Sequence, residues 1–298
     1  MGVQVDVLCV GTSAYDLTFG VEAHPQPDEK LFATSFVGCG GGPAANAAVT
    51  VARLGGTAVF AGYLGNDMFG QLHLEELKAE GVLTDWIVRG ENPTPVSAII
   101  AKPDGQRALI AYQAETRRLP ADSIDFSRIE PKVILFDGHE PELSLPLATW
   151  AREKQIPTVL DAGSLHVGTE QLAERVDYLL VSEKFAQQFT REQNEQLALG
   201  KLNEVAPFVA ITLGERGLIW KNKQAEGFLP AFTVNAIDTT GAGDTFHGAF
   251  AWCLAQKMAW QEGLRFASAA AALCCTKQGA RHGIPNREAV ERLINQGV

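Results

Sequence analysis

Val133-Ile134-Leu135-Phe136 is an unbroken apolar run closed by Asp137-Gly138. A stretch of helical period, marked by Leu147, Trp150 and Ala151, separates it from the next run, Thr158-Val159-Leu160. Each run is too short for a helix, rich in branched residues and apolar at every position, which is the pattern of a strand buried on both faces. The same unit repeats outward in both directions. Toward the N-terminus lie Val5-Asp6-Val7-Leu8-Cys9-Val10, closed by Gly11, and Ala58-Val59-Phe60-Ala61, followed by helix-spaced Leu72, Leu74, Leu77 and Val82. Toward the C-terminus lie Tyr178-Leu179-Leu180-Val181 and Phe208-Val209-Ala210-Ile211. Continuous apolar strands alternating with helices predict an α/β fold, a mostly parallel sheet covered on both faces.

Two regions break this rhythm. Residues 17–37 and 94–113 alternate in polarity, as in Ser97-Ala98-Ile99-Ile100-Ala101 and Arg107-Ala108-Leu109-Ile110-Ala111-Tyr112, with turn chemistry at Pro103-Asp104-Gly105 between them. Neither has a helix of its own, so both read as antiparallel strands of a small projecting sheet, placed to act as a lid. After residue 236 the chain turns helical, with helices expected over 245–255, 263–275 and 286–294. At 298 residues it is one large domain, or one domain with a small appendage.

Composition narrows the function. With 46% hydrophobic and 20% charged residues the chain is globular, and a net charge of −10 offers no positive field for nucleic acid. No segment approaches the ~20 apolar residues of a membrane helix. The start, Met1-Gly2-Val3-Gln4-Val5-Asp6, lacks the blocks of a signal peptide, and five cysteines without a CxxC pair fit reduced thiols. These features predict a cytoplasmic enzyme with small-molecule partners.

Two blocks carry the chemistry. In Gly38-Cys39-Gly40-Gly41-Gly42-Pro43-Ala44-Ala45-Asn46, consecutive glycines leave backbone amides open to a ligand, Pro43 suits a first helical turn, and Asn46 points back over the loop. The dinucleotide fingerprint does not fit, because Pro43 falls where its third glycine belongs. In Asp238-Thr239-Thr240-Gly241-Ala242-Gly243-Asp244-Thr245-Phe246, bare amides at 241–244 open a helix, where the macrodipole favours an anion such as phosphate. A carboxylate at Asp244 is repulsive there, unless it meets a hydroxyl that attacks the phosphate. No Walker-type loop is present.

In this order, and about 200 residues apart, the blocks resemble those of the phosphofructokinase-B, or ribokinase-like, carbohydrate kinases. The resemblance spans nearly the whole chain. It implies one kinase domain over 1–298, a three-layer sandwich with a mostly parallel central sheet and a small projecting antiparallel β lid. It implies transfer of the γ-phosphoryl group of ATP to a hydroxyl, primary by preference, of a small sugar, with Mg2+ and in some members K+. On this likeness Asp244 is the base, and the amides of Gly241, Ala242 and Gly243 form the anion hole. As a carboxylate at a helix N-terminus, Asp244 is expected to stay ionised and to be a weak base. Asp16, Gly41, Gly42 and Asn46 make the sugar pocket, with Lys30, Arg107 and His139 as further substrate contacts. Thr212, Gly214 and Gly217 match the loop near the nucleotide phosphates, and Ala270, Cys274, Lys277 and Gly279 the adenine-side wall. Asp238 and Thr240 match the monovalent-cation loop.

The chain departs from the family at Ser182-Glu183-Lys184-Phe185, where an Asn-x-x-Glu motif often orders magnesium. Within the family it looks nearest to the sulfofructose kinase and ketohexokinase branches. It keeps Lys30 at the apparent lysine position of the former but has Ala111 and His139 at its asparagine and arginine positions. Without that guanidinium a neutral sugar, or one with a single weak anionic group, fits better. A nucleoside kinase, using Tyr15, Phe36 and Tyr112 as an aromatic wall, and a silent sugar-binding homologue are the alternatives. Open lid edges favour pairing into a homodimer.

Overall fold

The computed structural model describes residues 2–103, 106–113 and 116–296, so Asp104 and Gly105 of the expected lid turn lie outside the described residues. The first half of the chain runs β1 (Val3–Val10), β2 (Ala14–Gly20), β3 (Ser35–Gly41), α1 (Pro43–Arg53), β4 (Ala58–Gly65), α2 (Met68–Ala79), β5 (Ile87–Gly90), β6 (Val96–Ala101) and β7 (Arg107–Tyr112). Then follow β8 (Ile129–Phe136), α3 (Pro141–Lys154), β9 (Thr158–Ala162), α4 (Val167–Ala173), β10 (Tyr178–Ser182), α5 (Glu183–Thr190), α6 (Glu195–Val205) and β11 (Phe208–Thr212). The last part comprises β12 (Leu218–Asn222), β13 (Glu226–Leu229), α7 (Ala242–Ala255), α8 (Trp260–Cys274) and α9 (Arg287–Asn295).

The main sheet has the order β13-β12-β11-β10-β9-β8-β1-β4-β5. It is parallel from β11 to β5, and β12 and β13 add an antiparallel edge. β1 lies between β8 and β4, with Val7 opposite Val133 on one side and Ala58 on the other. Alternate residues serve opposite faces, as a period of two requires. Val7, Cys9, Val133 and Leu135 join one core with α1, α7 and α8, while Leu8, Val10, Ile134 and Phe136 join the other with α3 to α6. The result is the expected three-layer α/β arrangement.

One packing detail positions the site. A Cβ on Gly248 would lie 2.6 Å from Ala47 O, so glycine lets α7 pack directly against the backbone of α1. The close crossing brings the first turns of the two helices side by side.

The second sheet, order β3-β2-β6-β7, is the small separate sheet expected to serve as the lid. Its outer pairs β2–β3 and β6–β7 are antiparallel, and the inner β2–β6 pair runs parallel. The segment expected as strand over 17–37 is strand only at its ends. Pro25, Pro27 and Asp28, the last at φ 62°, hold its middle as a loop, because proline lacks the amide proton a ladder needs.

Candidate active site

The carboxyl ends of β8, β9, β10 and β11 open into a cleft of about 240 Å3, where ligands of open α/β sheets bind. Asp137, Asp161, Ser182 and Thr212 line it from the strand ends, Gly241, Gly243, Asp244 and His247 from α7, and Arg107 from the lid. Asp137 is its fixed point. One carboxylate oxygen accepts from Thr12 N at 2.8 Å and Ala44 N at 3.2 Å, and the other from His139 N at 2.9 Å. A single buried side chain thus ties the end of β8 to the exit of β1 and to the start of α1.

Asp244 occupies the third position of α7, behind Gly241 as N-cap. Its Oδ2 accepts from Asn46 Nδ2 at 2.7 Å. The Asn46 amide is oriented from behind, because its Oδ1 accepts from Arg281 Nε at 3.1 Å. Arg281 is fully buried, with one terminal nitrogen 2.5 Å from His73 Nε2 and the other 3.3 Å from Glu76 Oε2. Glu76 in turn accepts from Gly40 N at 2.6 Å. Burial and the neighbouring Asp161 push the Asp244 carboxyl up to about 6, against the lowering by Asn46, His247 and Arg107. That departs from the weak base expected at a helix N-terminus. The group is still mostly ionised at neutral pH, yet it accepts a proton more readily than an exposed aspartate.

The glycines divide into two kinds. A Cβ on Gly40 would meet the Arg281 guanidinium at 2.2 Å, one on Gly41 the Asp16 carboxylate at 2.2 Å, and one on Gly42 Ser13 Cα at 2.6 Å. The Cβ side of each of these glycines is therefore filled by the protein's own groups. Gly243 is the opposite: nothing lies within 4 Å of its Cβ position, which borders the cleft. No packing demands glycine there, and of the neighbouring first-turn amides, which the helix itself does not bond, Ala242 N donates to Thr239 O at 3.3 Å. Gly241, at φ 78° with Ala280 O 2.6 Å from its Cβ position, is required by the turn.

Asp16 lies on β2 between Cys39 and Ser97, buried against Gly41. Burial pushes it up to about 6, while Ser97, Arg281 and Arg107 act to lower it. The structure thus brings Asp16, Gly41, Gly42, Asn46 and Asp244 together. Arg107 and His139 border the cleft, the His139 ring stacked on His166 at 4.5 Å. Lys30 does not join them; its ammonium lies 5.2 Å from the Phe32 ring on an exposed loop.

Thr212 lines the cleft. Gly214, at φ 62°, lies in the exposed turn beyond it, and Gly217 is held by packing, its Cβ position 2.1 Å from Leu229 O. On the expected adenine side, Ala270 and Cys274 are fully buried in the core, so their side chains support that wall rather than face a ligand. Lys277 is exposed. Asp238 and Thr240 bond to each other: Oδ1 of Asp238 accepts from Thr240 N at 2.9 Å and Thr240 Oγ1 at 2.6 Å, and Oδ2 from Gly279 N at 2.8 Å. With donors on both oxygens, Asp238 latches the loop before α7 to the turn after α8. In the Ser182–Phe185 stretch Ser182 caps α5 through Phe185 N, and Glu183 pairs with Arg216 at 2.7 Å.

Sequence reasoning missed Asp137, Asp161, His247 and Arg281. Asp137 and Asp161 directly follow the apolar runs Val133-Ile134-Leu135-Phe136 and Thr158-Val159-Leu160, where strand ends face the ligand side of an open α/β sheet, and that position is the signal that could have found them. Arg281 gives no local signal, since its partners come from α1 and α2.

Comparison with known proteins agrees with this geometry. The model of the pfkB family of carbohydrate kinases matches residues 4–287. The chain belongs to that family. It is therefore a phosphotransferase with an alcohol acceptor. Ribokinase of Bacillus subtilis (strain 168) is 30% identical over 296 residues, covering 97% of this chain and 99% of that one. A fructokinase from Solanum habrochaites is 29% identical, covering 89% and 90%. Among solved structures, a ribokinase from Thermotoga maritima is 30% identical and superposes with a TM-score of 0.86 over 98% of this chain and 99% of that one. Arabidopsis thaliana ribokinase complexed with ribose and ATP is 25% identical, with a TM-score of 0.83 over 99% of each chain.

Proposed function

We propose that this family member is an ATP-dependent kinase for a small sugar, a pentose or ketose, phosphorylated on a primary hydroxyl. The observation that carries the reading is the Asp244 carboxylate held by Asn46 in a cleft beside first-turn amides, with open space at Gly243. Phosphoryl transfer needs alignment and charge stabilisation more than covalent chemistry. Asp244 aims the hydroxyl and takes its proton as the bond to phosphorus forms. The amides of Gly241, Ala242 and Gly243 meet the charge on the transferring group, and Thr212 and Lys277 flank the nucleotide. Asp16, Asn46 and the Gly41-Gly42 backbone hold the sugar, with Arg107 and His139 at the rim. Relatives named as ribokinases and fructokinases, one of them complexed with ribose and ATP, support this choice of substrates.

Among the described residues no group of three or more His, Cys, Asp or Glu is placed to hold a metal ion. Mg2+ fits this donor set as the ion carried on the nucleotide phosphates, whose charge it offsets. A monovalent cation at Asp238 and Thr240 is left out of the proposal, because protein donors already occupy that carboxylate. Tyr15, Phe36 and Tyr112 are not among the residues lining the cleft, and neither are Asp16, Gly41, Gly42 and Asn46, so the choice of a sugar over a nucleoside rests on the relatives named as ribokinases and fructokinases. Strand β7 is exposed along its length, with Ile110 69% accessible, and Phe36 lies exposed on β3, which supports pairing of two lids in a homodimer. Among the described residues no helix is long and apolar enough to cross a membrane, and we place the enzyme with ATP in the cytoplasm.

The test is ADP release from ATP and Mg2+ across pentoses, ketoses, sugar acids and nucleosides, with Asp244→Asn as control. A small sugar that raises ADP release far above the ATP-only background, and at least a thousandfold loss in the variant with sugar binding retained, is the expected result. A nucleoside as best acceptor, or near-normal turnover by Asp244→Asn, refutes it.

A further inference from the structure

His247 lies one turn beyond Gly243 on α7, with its ring buried and 3% exposed. Nδ1 is 2.6 Å from Gly243 O and 3.1 Å from Asp161 Oδ2, and Nε2 is 3.2 Å from Leu180 O. Every one of these neighbours is an oxygen with lone pairs to offer. A neutral imidazole has one N–H and one bare nitrogen. Either neutral tautomer therefore turns a lone pair toward an oxygen lone pair, on a ring that is only 3% exposed. A proton on Asp161 does not relieve this, because the bare Nδ1 would still face Gly243 O at 2.6 Å. Only the doubly protonated ring satisfies both ends.

We propose that His247 is a standing imidazolium which, paired with Asp161, acts as a positioning residue that keeps Asp244 ionised and aimed at the acceptor hydroxyl. The surroundings support the charge. Burial works against it, while the Asp161 carboxylate and the Gly243 and Leu180 carbonyls outweigh burial, so the net displacement of His247 is upward. Asp244 faces the same space from α7, Asp161 from β9, Asp137 from β8 and Arg107 from the lid. Those three carboxylates and Arg107 leave a net negative charge that a neutral ring at 247 would not offset. The imidazolium counters Asp161, whose charge otherwise pushes Asp244 toward its protonated, inactive form. His247 takes no proton from substrate and gives none.

The first measurement is independent of the kinase reading. Proton–nitrogen correlation spectra of the unliganded, 15N-labelled protein should show both ring nitrogens of His247 protonated at pH 7.5. A single protonated nitrogen at that pH overturns the proposal. In Asp161→Asn the two carbonyls still face the ring but the carboxylate charge is gone, so the second proton should be released at a lower pH than in wild type, and an unchanged titration would overturn the role given to Asp161.

The second measurement rests on the kinase reading. In His247→Gln the acid limb of kcat should move up by about one pH unit. The deficit against wild type would be about fivefold at pH 6, approach tenfold at lower pH and nearly vanish by pH 8. A loss of the same size at every pH would mark a packing role and overturn the proposal. Absence of sugar-dependent turnover in the wild-type protein would sink the functional reading and leave the spectroscopic result standing.

Discussion

Replacing Arg281 with methionine should damage stability and catalysis together, because one guanidinium serves both. It is fully buried and meets Glu76 and His73 on α2 and Asn46 on α1, while its edge fills the space beside Gly40 on β3. Removing one member of a buried charged set leaves the others unpaired, at a cost of about 3–5 kcal/mol. A chain of 298 residues unfolds with an entropy of about 0.6 kcal/mol per kelvin, so the melting temperature should fall by about 5–8 °C. The catalytic loss has a separate origin. Without Arg281 the Asn46 Oδ1 has no donor, the amide is free to flip, and the 2.7 Å bond to Asp244 is no longer enforced. A hydrogen bond to a charged group contributes about 1.5–3 kcal/mol, which corresponds to about a 10- to 100-fold fall in kcat/KM. Arg281→Lys keeps the charge but not the planar fork that reaches three partners, so it should fall between methionine and wild type. Calorimetry and ADP release on the same preparations decide the matter. A methionine variant that melts within about 2 °C of wild type and keeps kcat/KM within about threefold would refute the network.

Gly243→Ala should fold normally, and even gain about 1 kcal/mol from helix propensity, since its Cβ finds open space; its turnover should nonetheless drop about 100-fold, as a methyl then stands where the phosphoryl group approaches. An equal loss of stability and activity would contradict this. Gly41→Ala should instead fail in the protein itself, lowering the melting temperature and raising KM for sugar, because its Cβ collides with Asp16. With Asp16 and Asp244 both pushed up to about 6, kcat/KM should fall more steeply below pH 6 than one ionisation allows, approaching about 100-fold per unit with magnesium in excess. A slope of tenfold per unit, or a midpoint near 4, would count against one or both assignments. The sign for stability is reversed: a raised carboxyl favours its protonated form in the folded state. Asp244→Asn should therefore melt above wild type at pH 7.5, an advantage that disappears as pH falls toward 4.

How far the sequence spoke depended on whether a signal was local. The central strands were legible because each is apolar throughout and bounded by its own turn; Val133-Ile134-Leu135-Phe136 sits within β8, and Tyr178-Leu179-Leu180-Val181 within β10. The edge elements were not. In β12 the buried half Leu218-Ile219 is followed by Trp220-Lys221-Asn222, and β13 is exposed at alternate positions, so neither carries a continuous run. Helix α7 starts at Ala242 rather than Thr245, because Gly241 at φ 78° supplies the N-terminal turn without a capping side chain.

The site shows the same division, with a consequence for how such motifs are read. Asp16 was reached through the family resemblance, whereas Asp244 and Asn46 were legible because each sits in a glycine-rich block at the start of a helix. Arg281 and His247 were not, since their meaning lies in partners 235 residues away for the Arg281–Asn46 bond and 67 for the His247–Leu180 contact. Yet the legible residues do not work alone. The carboxylate at 244 is useful only if it is ionised and aimed, and burial beside Asp161 opposes the first while a free amide at 46 would defeat the second. On the proposed reading, the motif names the group that meets the substrate, and the fold supplies two buried cations that make that group work. It follows that a relative keeping Asp244 and Asn46 but carrying apolar residues at 281 and 247 should bind sugar and nucleotide while turning over slowly. Restoring the pair in such a chain should raise kcat more than it lowers KM, and a gain confined to KM would show that the two cations serve binding alone.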